Sequence, residues 1–335
     1  PLAQPTGPSA MSEQLSWQLP RLEQLRDQYL NQDLAHAYLV DDPAGEGNQG
    51  FVRALASTIL CQHTQLGGCS TCSSCQLQSA GSHADLLWVT PEDSKQIKIE
   101  QIRSVIEWSH QTPQQGRAKV LVLDPADRMN VYATNSLLKL LEEPAPNTYL
   151  FLISTSPARL LATIRSRCQR LNIPTPAKKD GLQWLIDSRP GVSQAALEGI
   201  YAITGYKPIT AQTLFDTEQV APLLAAVKTL TEWLQGQCGP IETARKLAPK
   251  EDPGRPYELL YRAVTIAQRQ QFLAEPKGSG VFQDLIDLLA LNWSIKALVR
   301  LADQCAQARA LTASSNNLNV ELTLEHFLMT QKNTG

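Results

Sequence analysis

The segment Val40-Asp41-Asp42-Pro43-Ala44-Gly45-Glu46-Gly47-Asn48-Gln49-Gly50-Phe51 joins a short apolar run, Ala37-Tyr38-Leu39-Val40, to a helical pattern that begins Phe51-Val52-Arg53-Ala54-Leu55-Ala56. Strand, glycine-rich turn and helix is the layout of a phosphate-binding loop, in which backbone N–H groups and a helix N-terminus surround phosphate oxygens. A working loop of that kind closes on Gly-Lys-Ser/Thr: the lysine reaches the terminal phosphates and the hydroxyl holds magnesium. Here Gly47 is followed by Asn48 and Gln49, so the scaffold is kept and both groups are missing. Taken alone, the turn is equally well an ordinary strand-to-helix connection that uses glycine for positive φ.

The flanking sequence favours a nucleotide-binding architecture. Pro20–Leu34 has Leu22, Leu25, Tyr29 and Leu30 at helical spacing, and the helix after the loop runs to about Cys61. Leu86–Val89, Val120–Leu123, Tyr149–Ile153 and Arg170–Ile173 are apolar strand candidates. Helical patterns at Ile99–Pro113, Asn130–Leu141 and Ala158–Ile164 separate them. Apolar strands alternating with helices imply a parallel sheet covered on both faces, with ligands beyond the C-terminal strand ends. Asp41, Asp124 and Ser154 fall at those ends. In ATPases of this architecture the strand ending at Asp124 closes on Asp-Glu, one carboxylate for magnesium and one to orient the attacking water. The sequence here is Asp124-Pro125-Ala126-Asp127, and proline offers no side-chain base. Loop and strand fail independently, and both failures predict that the chain does not hydrolyse nucleotide.

A length of 335 residues accommodates two or three domains, and 43% hydrophobic with 19% charged residues fits a globular protein. The net charge of −2 argues against a self-sufficient nucleic-acid binder. No membrane span or secretory signal is apparent, and the expected location is cytoplasmic. Residues 1–10, rich in Pro, Gly and Ser, are expected to be an expression-vector remnant ahead of a native start at Met11.

Cys61, Cys69, Cys72 and Cys75 form C-x7-C-x2-C-x2-C. Four thiolates this close in sequence can close a tetrahedron around a structural Zn2+, and a reducing compartment fits that use. A ferredoxin-type run would continue with x3-C-P, whereas Gln76-Leu77-Gln78-Ser79-Ala80 follows Cys75. His63 is the alternative fourth ligand. Cys168, Cys238 and Cys305 are isolated and read as small core residues.

Three stretches make the assignment specific. Asn135-Ser136-Leu137-Leu138-Lys139-Leu140-Leu141-Glu142-Glu143-Pro144 resembles the N-A-L-L-K-x-L-E-E-P signature of clamp-loader ATPase subunits, and Arg165-Ser166-Arg167-Cys168 contains their S-R-C motif. The cysteine cluster follows the loop helix, as in the bacterial branch. The chain therefore resembles the AAA+ clamp-loader subunits of bacterial DNA polymerase III, closely over about Gln18–Ile173. The resemblance implies an α/β, AAA+ P-loop-type Rossmann-like domain with a zinc insertion over residues 11–174, the zinc module lying at about 61–80. A small helical lid over 175–217 and an all-α collar for oligomerisation over 218–335 would follow.

The same resemblance implies that Arg167 acts as an arginine finger in trans, positioned by Ser166 and Cys168, on the ATP of a neighbouring subunit. Guanidinium suits that task because it is always charged and forks onto phosphate oxygens. Gly45, Gly47, Asn48, Gln49 and Asp124 would be a degenerate nucleotide site without functional ATP or Mg2+. The implied partners are gamma/tau-type ATPase subunits and a delta subunit in a heteropentamer at the replisome, with primer-template DNA and, indirectly, the sliding clamp. Two departures stand: the x7 spacing is one residue shorter than the expected x8, and Thr204-Gly205-Tyr206-Lys207-Pro208 matches the lid's Gly-rich stretch only loosely.

Pro174-Thr175-Pro176 reads as a linker, followed by two or three short helices over Gly181–Phe215. Helices are then expected at Pro222–Gln235, Pro256–Phe272, Phe282–Arg309 and Leu322–Met329, with breaks at Gly236–Pro240, Pro249–Pro256 and Lys277–Gly280. Leu285, Leu288, Leu289 and the run from Leu291 to Leu301, with Trp293, form an apolar stripe for bundle core or subunit interface. Two other functions remain compatible with the residues: an active ATPase motor, or a zinc-stabilised adaptor in which Arg167 has no catalytic part.

Overall fold

The apolar runs pair as an all-parallel sheet of five strands. The computed structural model describes residues 15–42, 48–92, 96–248, 252–273, 280–314 and 319–331. Strands β1 (Ala37–Asp41), β2 (Leu86–Val89), β3 (Lys119–Leu123), β4 (Thr148–Ser154) and β5 (Gln169–Leu171) lie in the order β2-β3-β4-β1-β5. Every residue of β3 is buried, as expected of a strand with apolar layers on both sides. Strand β1 has β4 on one side and β5 on the other, and pairs Asp41 with Ser154 at the C-terminal edge. Order reverses about β1, the place where open α/β sheets generally bind ligands.

Helices α1 (Leu19–Leu30), α2 (Asn48–Leu60), α4 (Ile99–Ser109), α5 (Val131–Glu142) and α6 (Ala162–Arg165) cover this sheet, and α3 (Ser73–Ser79) lies in the cysteine module. One face packs Tyr38, Val40, Val122 and Phe151 against Leu22 and Leu25 of α1 and Phe51 and Leu55 of α2. The other packs Leu39, Leu121 and Leu152 against Ile102 of α4, Leu137 of α5 and Ile164 of α6. Alternating side chains of one strand thus serve opposite layers. Helix α5 starts where the Asn130 side chain accepts the Ala133 N–H at 2.8 Å.

The chain divides into two compact units, Pro1–Pro176 and Ala177–Gly335. The second is helical: α7 (Lys178–Ser188), α8 (Gln194–Ile203), α9 (Pro208–Asp216), α10 (Val220–Leu234), α11 (Pro240–Leu247), α12 (Arg255–Leu273), α13 (Val281–Asn292), α14 (Ile295–Ser314) and α15 (Val320–Gln331). One apolar core runs through it, from Leu185 on α7 through Trp233, Leu260 and Leu285 to Leu328 on α15. Of the apolar stripe, Leu285, Leu289, Leu298 and Leu301 are core, whereas Leu291 is 79% exposed. No helix among the described residues is long and apolar enough to cross a membrane.

Three sequence expectations need correction. Ala158–Ile164 is not one helix: a 3-10 turn at Pro157–Arg159 and α6 are separated by extended Leu160 and Leu161, an arrangement that buries Leu160. Phe282–Arg309 breaks at Trp293, which is extended, and Ser294 restarts the helix by accepting the Ala297 N–H at 3.3 Å. The segment after Gly239 carries helix α11, because Pro240 occupies its first turn, where a missing N–H costs nothing. Residues 1–10, Met11, Gly45, Gly47, Pro249 and Lys277–Ser279 lie outside the described residues.

Leu137→Ala removes a fully buried side chain between α5 and the sheet. It is expected to cost about 2–5 kcal/mol, read from the urea unfolding midpoint.

Candidate functional site

At the C-terminal edge of the sheet Asn48 and Gln49 each make a side-chain hydrogen bond to protein. Asn48 opens α2 and is buried; its Nδ2 donates to the Asp41 carbonyl at 2.8 Å. A lysine in this part of a phosphate loop reaches outward to phosphate; the amide instead ties the helix start to the end of β1. Asp124 follows β3 and accepts from Trp88 Nε1 at 3.3 Å. Its carboxyl sits above the ordinary range, because burial outweighs the hydrogen bonds from Trp88 and Gln49 and the nearby charge of Arg53. Arg53 lies over the Trp88 ring at 4.7 Å. Asp127 also faces inward, accepting from Ser154 Oγ at 2.7 Å and from the Thr155 N–H at 2.9 Å. The Gln49 amide, the Trp88 indole and the Arg53 charge thus all act on the Asp124 carboxylate.

Arg167 lies on the turn that closes α6. Its Nη1 donates to Thr163 O at 3.1 Å, and its Nη2 is 2.7 Å from Glu142 Oε1 at the end of α5. The guanidinium side chain stays 37% exposed. Ser166 turns its hydroxyl to the same Thr163 carbonyl at 3.1 Å. Cys168 points the other way, into the core beneath α5, and burial pushes its thiol up to about 11. The motif therefore divides its labour: Cys168 pins the backbone and Arg167 reaches the surface.

The four cysteines converge, with all Sγ atoms within 4.8 Å of one another. Sulfurs about 2.3 Å from a tetrahedral zinc ion lie about 3.8 Å apart, and Cys69 and Cys75 are at 3.9 Å. The Cys72 N–H points at Cys69 Sγ at 3.3 Å and the Cys75 N–H at Cys72 Sγ at 3.5 Å, donors suited to thiolates. Such donors, led by the Thr71 hydroxyl, draw Cys69 down to about 5, while burial pushes Cys75 up to about 12. A cation among them would offset that second cost. Gly68, at φ +92, is required: a Cβ there would stand 3.0 Å from Cys75 Sγ. His63 is not part of the group among the described residues. The cluster fits a metal ion and is compatible with structural zinc.

A buried polar chain ties this module to the sheet domain. His83 Nδ1 accepts the Asp85 N–H at 3.0 Å, so its Nε2 carries the proton and donates to Ser74 Oγ at 2.8 Å. Ser74 in turn donates to Leu60 O at the end of α2, at 2.7 Å. Asp85 accepts the N–H groups of Gln114 and Gln115, both at 2.7 Å. Burial keeps the His83 ring below its usual pKa, Asp85 opposing in part.

A family model described as DNA polymerase III, delta subunit, matches residues 17–177, a stretch that holds all of these groups. A DNA polymerase III subunit delta' from Yersinia pestis is 32% identical over 313 residues, covering 88% of each chain. The chain belongs to the delta-prime family of DNA polymerase III subunits. The delta' subunit of Pseudomonas aeruginosa is 43% identical over 201 residues, so the match spans 58% of this chain and 61% of that relative's length. A gamma-subunit-related protein of Thermotoga maritima is 16% identical with a TM-score of 0.42, covering 93% of this chain and 99% of its own.

Within this family member the sequence brought forward Asn48, Gln49, Asp124, Arg167 and the four cysteines, and each falls in one of three clusters; Gly45 and Gly47 lie outside the described residues. Trp88, Arg53, Ser74 and His83 were not anticipated, since an indole on a strand and a histidine after the cysteines carry no motif.

Cys72→Ser is expected to lower bound metal from about one ion per chain and to lower Tm, both measured on purified protein; unchanged metal content would remove the assignment. The depressed His83 pKa means that the unfolded chain takes up a proton more readily than the folded one below about pH 6.5. Stability from neutral His83 is therefore present above about pH 6.5 and falls as pH drops towards the folded pKa. The loss in urea midpoint between neutral and mildly acidic pH should be smaller in His83→Leu than in the wild type.

Proposed function

We propose that this chain is a non-hydrolysing stator of a bacterial DNA polymerase III clamp loader. Its ATPase neighbours move against it as the loader opens a ring-shaped sliding clamp and places it on primed DNA. The observation that carries this reading is the commitment of the loop amides to protein: Asn48 to the Asp41 carbonyl, Gln49 to Asp124. With no lysine for the terminal phosphates and Pro125 in the water-orienting position, charge stabilisation and base are both missing.

In this reading the chain contributes to catalysis next door. Arg167 is supplied in trans to the ATP of an adjacent gamma/tau-type subunit, where a fixed positive charge stabilises the developing phosphoryl charge. Partial exposure of the guanidinium and the buried anchors Ile164 and Cys168 on either side of it support that role. Helices α7–α9 serve as the lid and α10–α15 as the collar that joins the pentamer. Zinc held by Cys61, Cys69, Cys72 and Cys75 is structural, since four protein ligands leave no open position.

A second reading is favoured by one contact. Arg167 is already paired with Glu142, and a surface ion pair alone would make the chain a zinc-stabilised adaptor. DNA-stimulated ATP hydrolysis by the reconstituted loader separates the two. Arg167→Ala is expected to reduce turnover by on the order of 10³–10⁵ if the arginine acts in trans, with the assembly intact by sizing. An unchanged rate would leave the adaptor.

A further inference from the structure

Helix α5 ends in a way that helix physics alone does not favour. Its last residue is Glu142 and its C-cap is Glu143, two carboxylates at the negative end of the macrodipole. Its carbonyls are met elsewhere: the Glu143 N–H donates to Lys139 O, and His36 Nε2 stands 3.2 Å from Leu141 O. Glu142 takes no part in that capping. Its carboxylate is half exposed and meets Arg167 Nη2 at 2.7 Å. An exposed pair of this kind adds little to folding, so stability does not account for a carboxylate at this position.

Arg167 is a long side chain on a short turn, and long side chains reach many rotamers. Two contacts from different directions restrict this one. Thr163 O, within its own turn, takes Nη1, and Glu142, from the neighbouring helix, takes Nη2. The turn is itself fixed, because Ile164 and Cys168 are buried in the same apolar layer as Leu137 and Leu141 of α5. The carboxylate therefore sits on a rigid element and sets where the guanidinium points. The side chain is left 37% exposed, and two contacts leave most of its five N–H donors uncommitted to these anchors.

We propose that Glu142 is the positioning residue for Arg167, holding the guanidinium in the orientation in which it meets a nucleoside triphosphate across a subunit boundary. The proposal rests on the trans-arginine reading above and assigns a task to the first glutamate of the Glu142-Glu143-Pro144 sequence. Glu142 touches neither substrate nor metal. It acts through Arg167 alone, by lowering the cost of ordering that side chain when the transition state forms.

The test uses the reconstituted loader and compares wild type with Glu142→Gln, Glu142→Asp, Arg167→Ala and the double variant Glu142→Gln/Arg167→Ala. Glu142→Gln keeps shape and removes charge. It is expected to lower DNA-stimulated kcat by up to about 100-fold, the scale of a catalytic group misplaced by about 1 Å, with KM for ATP and the Tm of the subunit unchanged. Glu142→Asp should recover part of the loss, and the double variant should be no slower than Arg167→Ala. Wild-type kcat in Glu142→Gln beside a large loss in Arg167→Ala would overturn the proposal and leave the trans arginine standing. A faster Glu142→Gln would also overturn it, the carboxylate then being a restraint that the reaction must break. Wild-type kcat in Arg167→Ala would overturn both. Sizing and thermal melting of each variant keep misfolding from being mistaken for any of these.

Discussion

Burial of both faces of a parallel sheet is the constraint from which the rest of the first unit follows. Strand β3 is inaccessible along its whole length, so its odd and even side chains must each find an apolar layer. Helices α1 and α2 supply one layer, and α4, α5 and α6 the other. That requirement fixes where the connections can run, and it leaves the C-terminal strand ends of β1, β3 and β4 side by side. Polar groups of Asp41, Asp124 and Ser154 collect there because the strands that carry them end there. That gathering of polar groups is a consequence of packing.

What meets the polar groups at those strand ends follows from local hydrogen bonding. Buried carbonyls and carboxylates in such a place need partners, since an unmet one costs about 1–3 kcal/mol. In a nucleotide-binding relative of this architecture, ligand and metal supply them. Here the Asn48 amide, the Trp88 indole and the Gln49 side chain do so, with Arg53 stacked over the indole. Asparagine at position 48 therefore does more than lack a lysine's charge: its amide donor is aimed at the strand.

The cysteine module shows the same economy of contacts on the far side of α2. Its chain enters at Cys61, one residue beyond the helix, and Ser74 returns a hydrogen bond to Leu60 O. His83 and Asp85 then bind the exit of the module to the loop before β3. Module and sheet domain therefore share a polar seam in which the Ser74, His83 and Asp85 side chains are each hydrogen-bonded. Arg167 sits on the opposite layer, on a turn whose neighbours are apolar, with its own charge met only at the surface.

The amino-acid sequence by itself pointed to the class of fold, because short unbroken apolar runs such as Val120–Leu123 alternating with helical patterns favour a parallel sheet covered on both faces. It also determined which positions depart from a working phosphate loop, and which cysteines stand close enough to share an ion, since both are matters of residue type and spacing. Tertiary structure alone decided the partners. That Asn48 turns to Asp41, that Trp88 meets Asp124 from 36 positions away, and that Glu142 reaches Arg167 depend on which elements the sheet brings together. The same holds for the breaks at Leu160 and Trp293: helical spacing continues through both, and a buried leucine in one case and a serine cap in the other interrupt it. Periodicity is a local property, and the free energy of burying or pairing a side chain is set by what lies opposite it.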